Sequence, residues 1–154
     1  MIKEIISKKN LNSILLLKKP LVLVPMAADI IHYGHIRLIK RSYKYGTVII
    51  ALMTDKGLAT YKTKPVFTYL QRKEIVSSIK YVSYILPING LKYLELAEKL
   101  KVDFFIHGTD WRKGPQKNVR KKLINKIKEW NGRVVEIPYT KNISSSKIKK
   151  NLII

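Results

Sequence analysis

Five short apolar segments alternate along the chain with longer, more polar ones. The apolar segments are predicted strands, and they cover residues 21–26, 47–53, 82–87, 102–107 and 133–137. Successive residues in most of them are apolar, so both faces of each strand are expected to be buried, as in a parallel sheet that helices cover on both sides. Because crossover connections between parallel strands are right-handed, the sequence predicts an α/β fold with a doubly wound five-stranded parallel sheet.

The segments between the strands carry the spacing or the capping residues of helices. The predicted helices cover residues 2–19, 34–45, 68–80, 91–100, 116–130 and 144–152. Residues 1–19 precede the first strand, so we treat them as an N-terminal helical extension to a single domain over residues 20–154. Residues 54–67 form the one long irregular connection, which is a candidate mobile loop over a site.

The composition excludes some kinds of chemistry but does not identify a binding partner. The chain has 31 Lys and Arg against 10 Asp and Glu, a net charge of +21, which attracts nucleotides, nucleic acids or an anionic membrane surface. A lysine-rich composition supplies the same excess, so charge alone does not decide among them. Cysteine is absent, which excludes disulfides, thiolate zinc sites and a cysteine nucleophile. No apolar run is long enough to span a bilayer and no cleavable leader is visible, so we expect a cytoplasmic protein.

Two of the three histidines stand in the sequence His32-Tyr33-Gly34-His35, between the first strand and the next helix. At such a junction the free N–H groups of a helix N-terminus attract phosphates. Two other interpretations remain for a pair at this spacing: unrelated surface or capping histidines, and half of a metal site. The lack of cysteine and the few nearby carboxylates argue against the metal site. The position of the motif favours a phosphate-bearing ligand.

Three further motifs follow strand ends or precede helices. Gly108-Thr109-Asp110-Trp111 comes after the fourth strand, where glycine permits close backbone approach, a carboxylate accepts hydrogen bonds and an aromatic ring can pack on a base. The serines at 144–146 can cap the last helix and leave N–H groups for a phosphate. Lys62 and Lys64 lie on the 54–67 connection and could close over phosphates. Each motif by itself also fits an ordinary loop, cap or solvated basic segment.

Taken in order, these motifs resemble the cytidylyltransferases of the HxGH nucleotidyltransferase superfamily, which include glycerol-3-phosphate, choline-phosphate and ethanolamine-phosphate enzymes. The shared order is His-x-Gly-His, Thr-Asp at 54–55, Lys-x-Lys at 62–64, Tyr-x-x-Arg-Lys at 69–73, Gly-x-Asp-Trp at 108–111 and Ile-Ser-Ser-Ser at 143–146. The resemblance implies a Rossmann-like nucleotidyltransferase domain over residues 20–154. Residues 26–31 and 135–140 look more like the cytidylyltransferase domains that accompany phosphoenolpyruvate mutase in phosphonate biosynthesis.

The resemblance assigns roles to individual residues. Those that match catalytic positions are His32 and His35, at the α-phosphate, and Lys62, on the mobile loop. Those that match nucleotide-binding positions, besides the two histidines, are Met26, Ala27, Ala28, Asp29, Gly34, Gly108, Asp110, Trp111, Thr140, Ile143, Ser144, Ser145 and Ser146. Those expected at the acceptor are Lys64, Arg72, Lys80 and Tyr139. Lys80 and Tyr139 stand where the glycerol-phosphate enzymes carry arginine, which indicates a different acceptor.

The implied reaction transfers a cytidylyl group from CTP to a small phosphonate, 2-hydroxyethylphosphonate or 2-aminoethylphosphonate, and releases pyrophosphate. Such an acceptor is ionised at neutral pH, so positioning and charge neutralisation suffice. The resemblance further implies Mg²⁺ bound with CTP, no metal site from the protein alone, and a homodimer. Alternatives remain: glycerol 3-phosphate, choline phosphate or ethanolamine phosphate as acceptor, adenylyl transfer, and a basic nucleic-acid-binding protein without enzyme activity.

Overall fold

A five-stranded parallel sheet forms the centre of the molecule, in a computed structural model that describes residues 8–60 and 64–152. The strands lie in the order β3-β2-β1-β4-β5. Their bounds are β1 Leu21–Met26, β2 Thr47–Met53, β3 Tyr84–Ile88, β4 Phe104–Gly108 and β5 Arg133–Ile137. This arrangement confirms the predicted α/β fold, and β1, β2 and β5 have the predicted bounds.

Helices connect all five strands. The described residues contain α1 Lys8–Leu15, α2 Tyr33–Ser42, α3 Asp55–Ala59, α4 Tyr69–Ser77, α5 Tyr93–Leu100, α6 Lys117–Lys126 and α7 Ser145–Asn151. Short 3-10 turns cover Tyr43–Tyr45, Thr109–Arg112, Gly114–Gln116 and Ile127–Trp130. Within the described part of the chain, none of these helices is long and apolar enough to cross a membrane.

Beyond small shifts at the ends of other elements, two predicted segments differ from the structure. The helix predicted over 2–19 ends earlier, because α1 ends at Leu15; residues 2–7 of that prediction lie outside the described residues. The connection 54–67 is not irregular throughout, since it contains α3. Thr54 starts this helix by accepting a hydrogen bond from the Gly57 N–H at 3.0 Å. The polar cap residue outweighed the lack of helical periodicity in so short a segment.

Alternate residues of the central strand pack into two separate apolar layers. Leu21 and Leu23 of β1 belong to the layer under α1, α5 and α6, whereas Val22 and Val24 belong to the layer under α2 and α4. Both faces exclude water, which is why the strands are apolar at successive positions. Ile14 of α1 is fully buried in the first layer, so the N-terminal extension covers one flank of the sheet.

The strand order changes direction between β1 and β4. β2 and β3 lie on one side of β1, and β4 and β5 lie on the other. The helix after β1 packs on one face of the sheet through Ile39, and the helix after β4 packs on the opposite face through Leu123. The loops that leave these two strands therefore diverge and open a crevice at their carboxyl ends, where open α/β sheets bind ligands.

Candidate active site

A cavity of about 510 Å³ lies in this crevice. Four segments supply most of its lining: the end of β1 with the following loop, α2 as far as Arg41, the end of β4 with the following turn, and the chain between β5 and the middle of α7. Met53, Leu58, Tyr93 and Gln116 complete the lining. The volume is in the range of sites that hold small ligands or cofactors. The cavity brings the histidine motif, the loop after β4 and the serine motif together, although more than one hundred residues separate the first motif from the last along the sequence.

The side chains of the two histidines in the motif cap the N-terminus of α2. His32 is the N-cap residue, and its Nδ1 accepts a hydrogen bond from the Gly34 N–H at 3.1 Å. The Nδ1 of His35 accepts from the His32 N–H at 3.3 Å. The two rings lie 4.0 Å apart, centroid to centroid. This is a reciprocal capping box, a device usually built from serine or threonine and glutamate or glutamine.

The capping bonds determine what the imidazoles offer to a ligand. A ring nitrogen that accepts from a backbone N–H carries no proton, so in each neutral ring the proton is assigned to Nε2. Burial also lowers the pKa of His32, because it disfavours the charged form. The capping bonds therefore assign a donating Nε2–H to both rings at a helix N-terminus, where the free N–H groups already favour an anion.

Gly34 fits between the two histidines only because it lacks a side chain. A Cβ atom at this position would lie 2.8 Å from Cε1 and 2.9 Å from Nδ1 of His32, closer than such atoms approach each other. The same Cβ position lies 3.5 Å from the Thr140 Cβ. The glycine thus lets the His32 ring fold over the helix start and brings the histidine motif against the segment that leads into α7.

The serine motif forms the opposite side of the cavity. Ser144 caps α7, since its Oγ accepts from the Lys147 N–H at 3.1 Å. Ser145 donates a hydrogen bond to the Ile30 carbonyl at 3.1 Å, which ties α7 to the loop after β1. Ser144, Ser145 and Ser146 all line the cavity, and their role in binding the nucleotide stays a prediction. Ile143 is half-buried and is not among the lining residues.

The loop after β1 contributes an anchored carboxylate. Asp29 is 6% exposed, and its Oδ1 accepts from the backbone N–H groups of Val66 at 2.7 Å and Phe67 at 3.1 Å. Its Oδ2 pairs with Lys149 of α7. Asp29 lines the cavity, but its oxygens are engaged within the protein, so it joins three segments rather than offering a free carboxylate. Ala28 is fully buried and lies outside the lining.

The loop after β4 corrects one sequence interpretation. Trp111 was expected to border the nucleotide, but it is 1% exposed and lies behind the cavity wall. Its ring stacks on His107, with centroids 4.4 Å apart and planes 3° apart, and its Nε1 donates to Glu136 at 2.7 Å. His107 itself lines the cavity together with Gly108 and Asp110. The tryptophan therefore supports a wall that the histidine forms.

Arg72 is a structural residue in this protein and not part of the cavity. Its side chain is fully buried. Its Nη1 donates to the carbonyls of Ala27 at 2.5 Å and Met53 at 2.7 Å, its Nε donates to Phe67, and its Nη2 pairs with Asp55 at 2.8 Å. The guanidinium thus joins the ends of β1 and β2 to α4. The expected contact with the acceptor's phosphate does not occur, because these partners engage the donors inside the protein.

The other residues expected at the acceptor separate into two groups. Tyr139 lines the cavity and is 44% exposed. Lys64 is exposed and lies outside the lining. Lys80 follows α4 and precedes β3, so it lies toward the amino ends of the strands, opposite the cavity. Lys62 lies outside the described residues, so its predicted role at the α-phosphate stays a prediction.

Five lining residues with charged, imidazole or amide side chains were missed from the sequence, besides several apolar or aromatic ones. The five are Arg37 and Arg41 of α2, His107 at the end of β4, Gln116 before α6, and Lys149 of α7. Helical spacing was the available signal for the arginines, since positions 37 and 41 continue the face of Tyr33 by one and two turns. No comparable signal pointed to Gln116, which reaches the cavity only through the 3-10 turns after β4.

A family model described as cytidylyltransferase-like matches residues 27–151. The chain belongs to the cytidylyltransferase-like family. This membership confirms the predicted superfamily and identifies the protein as a nucleotidyltransferase. The match begins at the end of β1 and ends in α7, so it includes all of the motifs that line the cavity.

Two curated members of the family illustrate the likeness. The glycerol-3-phosphate cytidylyltransferase of Staphylococcus aureus (strain NCTC 8325 / PS 47) is 35% identical over 126 residues, which cover 80% of this chain and 88% of that protein. The ethanolamine-phosphate cytidylyltransferase of Mus musculus is 34% identical over 84 residues, or 53% of this chain and 21% of that protein.

Among solved structures, the lipopolysaccharide core biosynthesis protein from Thermoplasma volcanium GSS1 superposes with a TM-score of 0.66 at 23% identity. The superposition covers 78% of this chain and 97% of that one. At this level of identity it establishes the fold that the cytidylyltransferase-like family shares and nothing about the substrate.

Proposed function

We propose that the protein transfers a cytidylyl group from CTP to a small anionic phosphate or phosphonate and releases pyrophosphate. The observation that carries the proposal is the His32–His35 capping box at the helix start, in which both Nδ1 atoms accept backbone N–H bonds and the ring protons are thereby assigned to Nε2. The family membership and the names of the relatives support CTP as the nucleotide.

In the proposed reaction an oxygen of the acceptor attacks the α-phosphorus of CTP. A new P–O bond forms, the bond to the bridging oxygen of the β-phosphate breaks, and pyrophosphate leaves with that electron pair. The attacking oxygen is already ionised, so no general base is required. His32 and His35 donate hydrogen bonds to the charge that develops on the α-phosphoryl group, which is positioning and electrostatic stabilisation without covalent catalysis.

Three basic side chains of the cavity fit the charge of a triphosphate. Arg37 and Arg41 extend from the face of α2 beyond the histidines, and Lys149 enters from α7 beside the serine motif. Lys62 remains our proposal for the lysine that reaches the α-phosphate. These cations neutralise the phosphates in the ground state and the pyrophosphate as it leaves.

Mg²⁺ is proposed as a companion of CTP. Among the described residues no three histidine, cysteine, aspartate or glutamate side chains come together as ligands, and the carboxylate of Asp29 is engaged by Lys149 and two backbone N–H groups. This donor set does not fit a protein-held magnesium site. It agrees with an ion that the phosphates of the nucleotide carry in, as Mg²⁺ commonly binds.

The finer proposal for the acceptor is a two-carbon phosphonate, 2-hydroxyethylphosphonate or 2-aminoethylphosphonate. Its support is Tyr139, which lines the cavity where the resemblance to glycerol-phosphate enzymes expects an arginine. Glycerol 3-phosphate is the second candidate, and the 35% identity to the Staphylococcus aureus enzyme favours it. The two differ in the bridging atom between carbon and phosphorus and in the length of the alcohol.

The deciding experiment measures pyrophosphate release with CTP and each acceptor: the two phosphonates, glycerol 3-phosphate, choline phosphate and ethanolamine phosphate. ATP in place of CTP tests adenylyl transfer. We expect turnover with CTP, and we expect it to be higher with one of the two phosphonates than with the other acceptors. Turnover with glycerol 3-phosphate alone would overturn the phosphonate proposal. No release of pyrophosphate with either nucleotide and any of these acceptors would overturn the proposed function.

A further inference from the structure

A saturated ion cluster stands behind the cavity wall that the β4 loop forms. Glu136 of β5 accepts five hydrogen bonds: from Nε1 of Trp111, from Nε and Nη2 of Arg112, and from Nε and Nη2 of Arg120, at 2.7–3.1 Å. The Arg120 hydrogen bond is the largest cause that lowers the pKa of Glu136, to about 2. The carboxylate is therefore ionised at neutral pH.

The cluster closes a loop in the chain. Arg112 ends the first 3-10 turn after β4, and Arg120 lies in α6. By holding both arginines, Glu136 fixes the two ends of the segment between them, and Gln116 stands at the middle of that segment. The same carboxylate fixes Trp111, which backs His107 in the wall. We use the name β4 wall for His107, Asp110 and Gln116, which all line the cavity.

Gln116 has a polar atom that the protein does not satisfy. Its Oε1 is buried, and no group in the described part of the chain donates a hydrogen bond to it. Buried polar atoms in folded proteins nearly always have a partner, because an unsatisfied one keeps the full cost of losing water. Because Gln116 lines the cavity, a bound ligand with an N–H or O–H group would supply the missing donor to Oε1.

The position of the β4 wall identifies the part of a nucleotide that faces it. The helix start with its histidines, the serine motif and Lys149 form the phosphate end of the cavity, so the β4 wall is left for the base. The apolar side chains of Met53, Leu58 and Tyr93 line the cavity as well and suit a flat ring. At position 4 of a pyrimidine, cytosine carries an amino donor and uracil carries a carbonyl acceptor.

We propose that Gln116 selects cytosine over uracil by accepting a hydrogen bond at Oε1 from the 4-amino group, and that Glu136 is the positioning residue that holds Gln116 in place. The inference rests on the proposed use of CTP. With the amide held in the orientation of the structure, UTP would bring an acceptor to an acceptor and leave both unsatisfied, which is the arrangement by which buried hydrogen-bonding sites reject an analogue.

The test of Gln116 is the ratio of kcat/KM for CTP to that for UTP. Gln116→Leu keeps the size of the side chain and removes the acceptor, and we expect the ratio to fall about 10-fold or more, as for loss of a hydrogen bond in a closed site. Gln116→Glu keeps an acceptor at the same length and is expected to hold the ratio at the wild-type value or above it. General damage to the fold would lower both nucleotides together and leave the ratio unchanged.

The test of Glu136 uses a matched control. Glu136→Gln weakens the bonds to both arginines, and we expect a higher KM for CTP, a lower CTP-to-UTP ratio and a kcat at saturating CTP within about 3-fold of wild type. Glu129→Gln makes the same change at an exposed ion pair with Lys126 on the far end of α6 and is expected to leave all three values unchanged. If Glu136→Gln does not fold, Trp111→Phe removes one donor to Glu136 while keeping the stacked ring.

Two failures are distinguishable. A wild-type protein that shows no CTP-dependent release of pyrophosphate overturns the proposed function. A wild-type protein that uses CTP, with Gln116→Leu keeping the wild-type CTP-to-UTP ratio, overturns the role of Gln116 alone. A normal ratio in both Glu136→Gln and Trp111→Phe overturns the positioning role of Glu136.

Discussion

Two helices of this protein begin with the same pattern of hydrogen bonds and with different side chains. At the start of α4, Oγ1 of Thr68 accepts from the Gln71 N–H at 3.4 Å, and Oε1 of Gln71 accepts from the Thr68 N–H at 2.9 Å. At the start of α2, Nδ1 of His32 accepts from the Gly34 N–H at 3.1 Å, and Nδ1 of His35 accepts from the His32 N–H at 3.3 Å. The first cap faces solvent and the second faces the cavity.

The difference lies in what each side chain has left after it has capped the helix. Threonine and glutamine accept through one oxygen and hold the helix start. Imidazole accepts through one nitrogen and keeps a second nitrogen on the far side of the ring, so the residue that stabilises the helix also donates to a ligand. The histidine cap thus performs two tasks, and substitutions can remove one without the other.

The largest expected effect is a loss of kcat in histidine variants that still cap the helix. His32→Asn and His35→Gln keep an acceptor for the capping bond and remove the Nε2–H donor. We expect kcat to fall about 10²–10³-fold in each, as for loss of one preorganised transition-state donor, while the free energy of unfolding in urea stays within about 1 kcal/mol of wild type. Turnover near the wild-type rate in either variant would contradict the proposed role of the motif.

The next effect concerns the second helical residue of each cap. Gly34→Ala places a methyl group against the His32 ring, so the ring must turn away, and we expect kcat/KM to fall about 10²-fold, as for a 1 Å displacement of a catalytic group. Leu70 occupies the matching position in α4 and is 74% exposed. Leu70→Ala is the control and should leave kcat/KM unchanged in the same assay.

A smaller effect is expected at the ordinary cap. Thr68→Ala removes the oxygen that accepts from the Gln71 N–H, and we expect about 1 kcal/mol less stability in urea unfolding. Because Thr68 and Gln71 lie outside the cavity lining, kcat should match the wild-type value at a temperature well below unfolding. A large loss of kcat in a fully folded variant would show that the α4 cap also serves the site.

The smallest effect depends on pH. Burial lowers the pKa of His32 below its ordinary value of 6.5, so between 6.5 and the lower folded-state pKa the unfolded chain binds more protons than the folded one. The stability that comes from neutral His32 is therefore complete above pH 6.5 and is lost as the pH falls toward the folded-state pKa. His32→Asn should remove this part of the pH dependence in urea titrations, and Thr68→Ala should retain it.

The fold could be predicted from the sequence because its signals are local. Apolar runs located five strands, and Thr68 and Ser144 marked helix starts as the N-caps they are. Resemblance placed His32, His35 and the serines at the site. These residues take their positions from the backbone of a single turn, so a pattern in the sequence is enough to find them.

The remaining site residues depend on packing between distant segments. The family resemblance assigned Arg72 to the acceptor site. In the structure the carbonyls of Ala27 and Met53 and the Asp55 carboxylate surround its guanidinium. Trp111 has the right spacing to border a ligand, yet Glu136, 25 residues later, draws its Nε1 away from the cavity. A short motif does not contain the partner that determines where such a side chain points.

Because Trp111 stacks on His107, the fluorescence of Trp111 is sensitive to changes in the wall of the cavity. The chain has two tryptophans, and the other, Trp130, donates its indole N–H to the Val102 carbonyl on the far side of β4. With Trp130→Phe, the remaining tryptophan emission comes from an indole in face contact with a ring of the cavity wall. Any ligand that displaces the His107 ring then changes that emission, so occupancy can be followed by fluorescence without a label and without turnover.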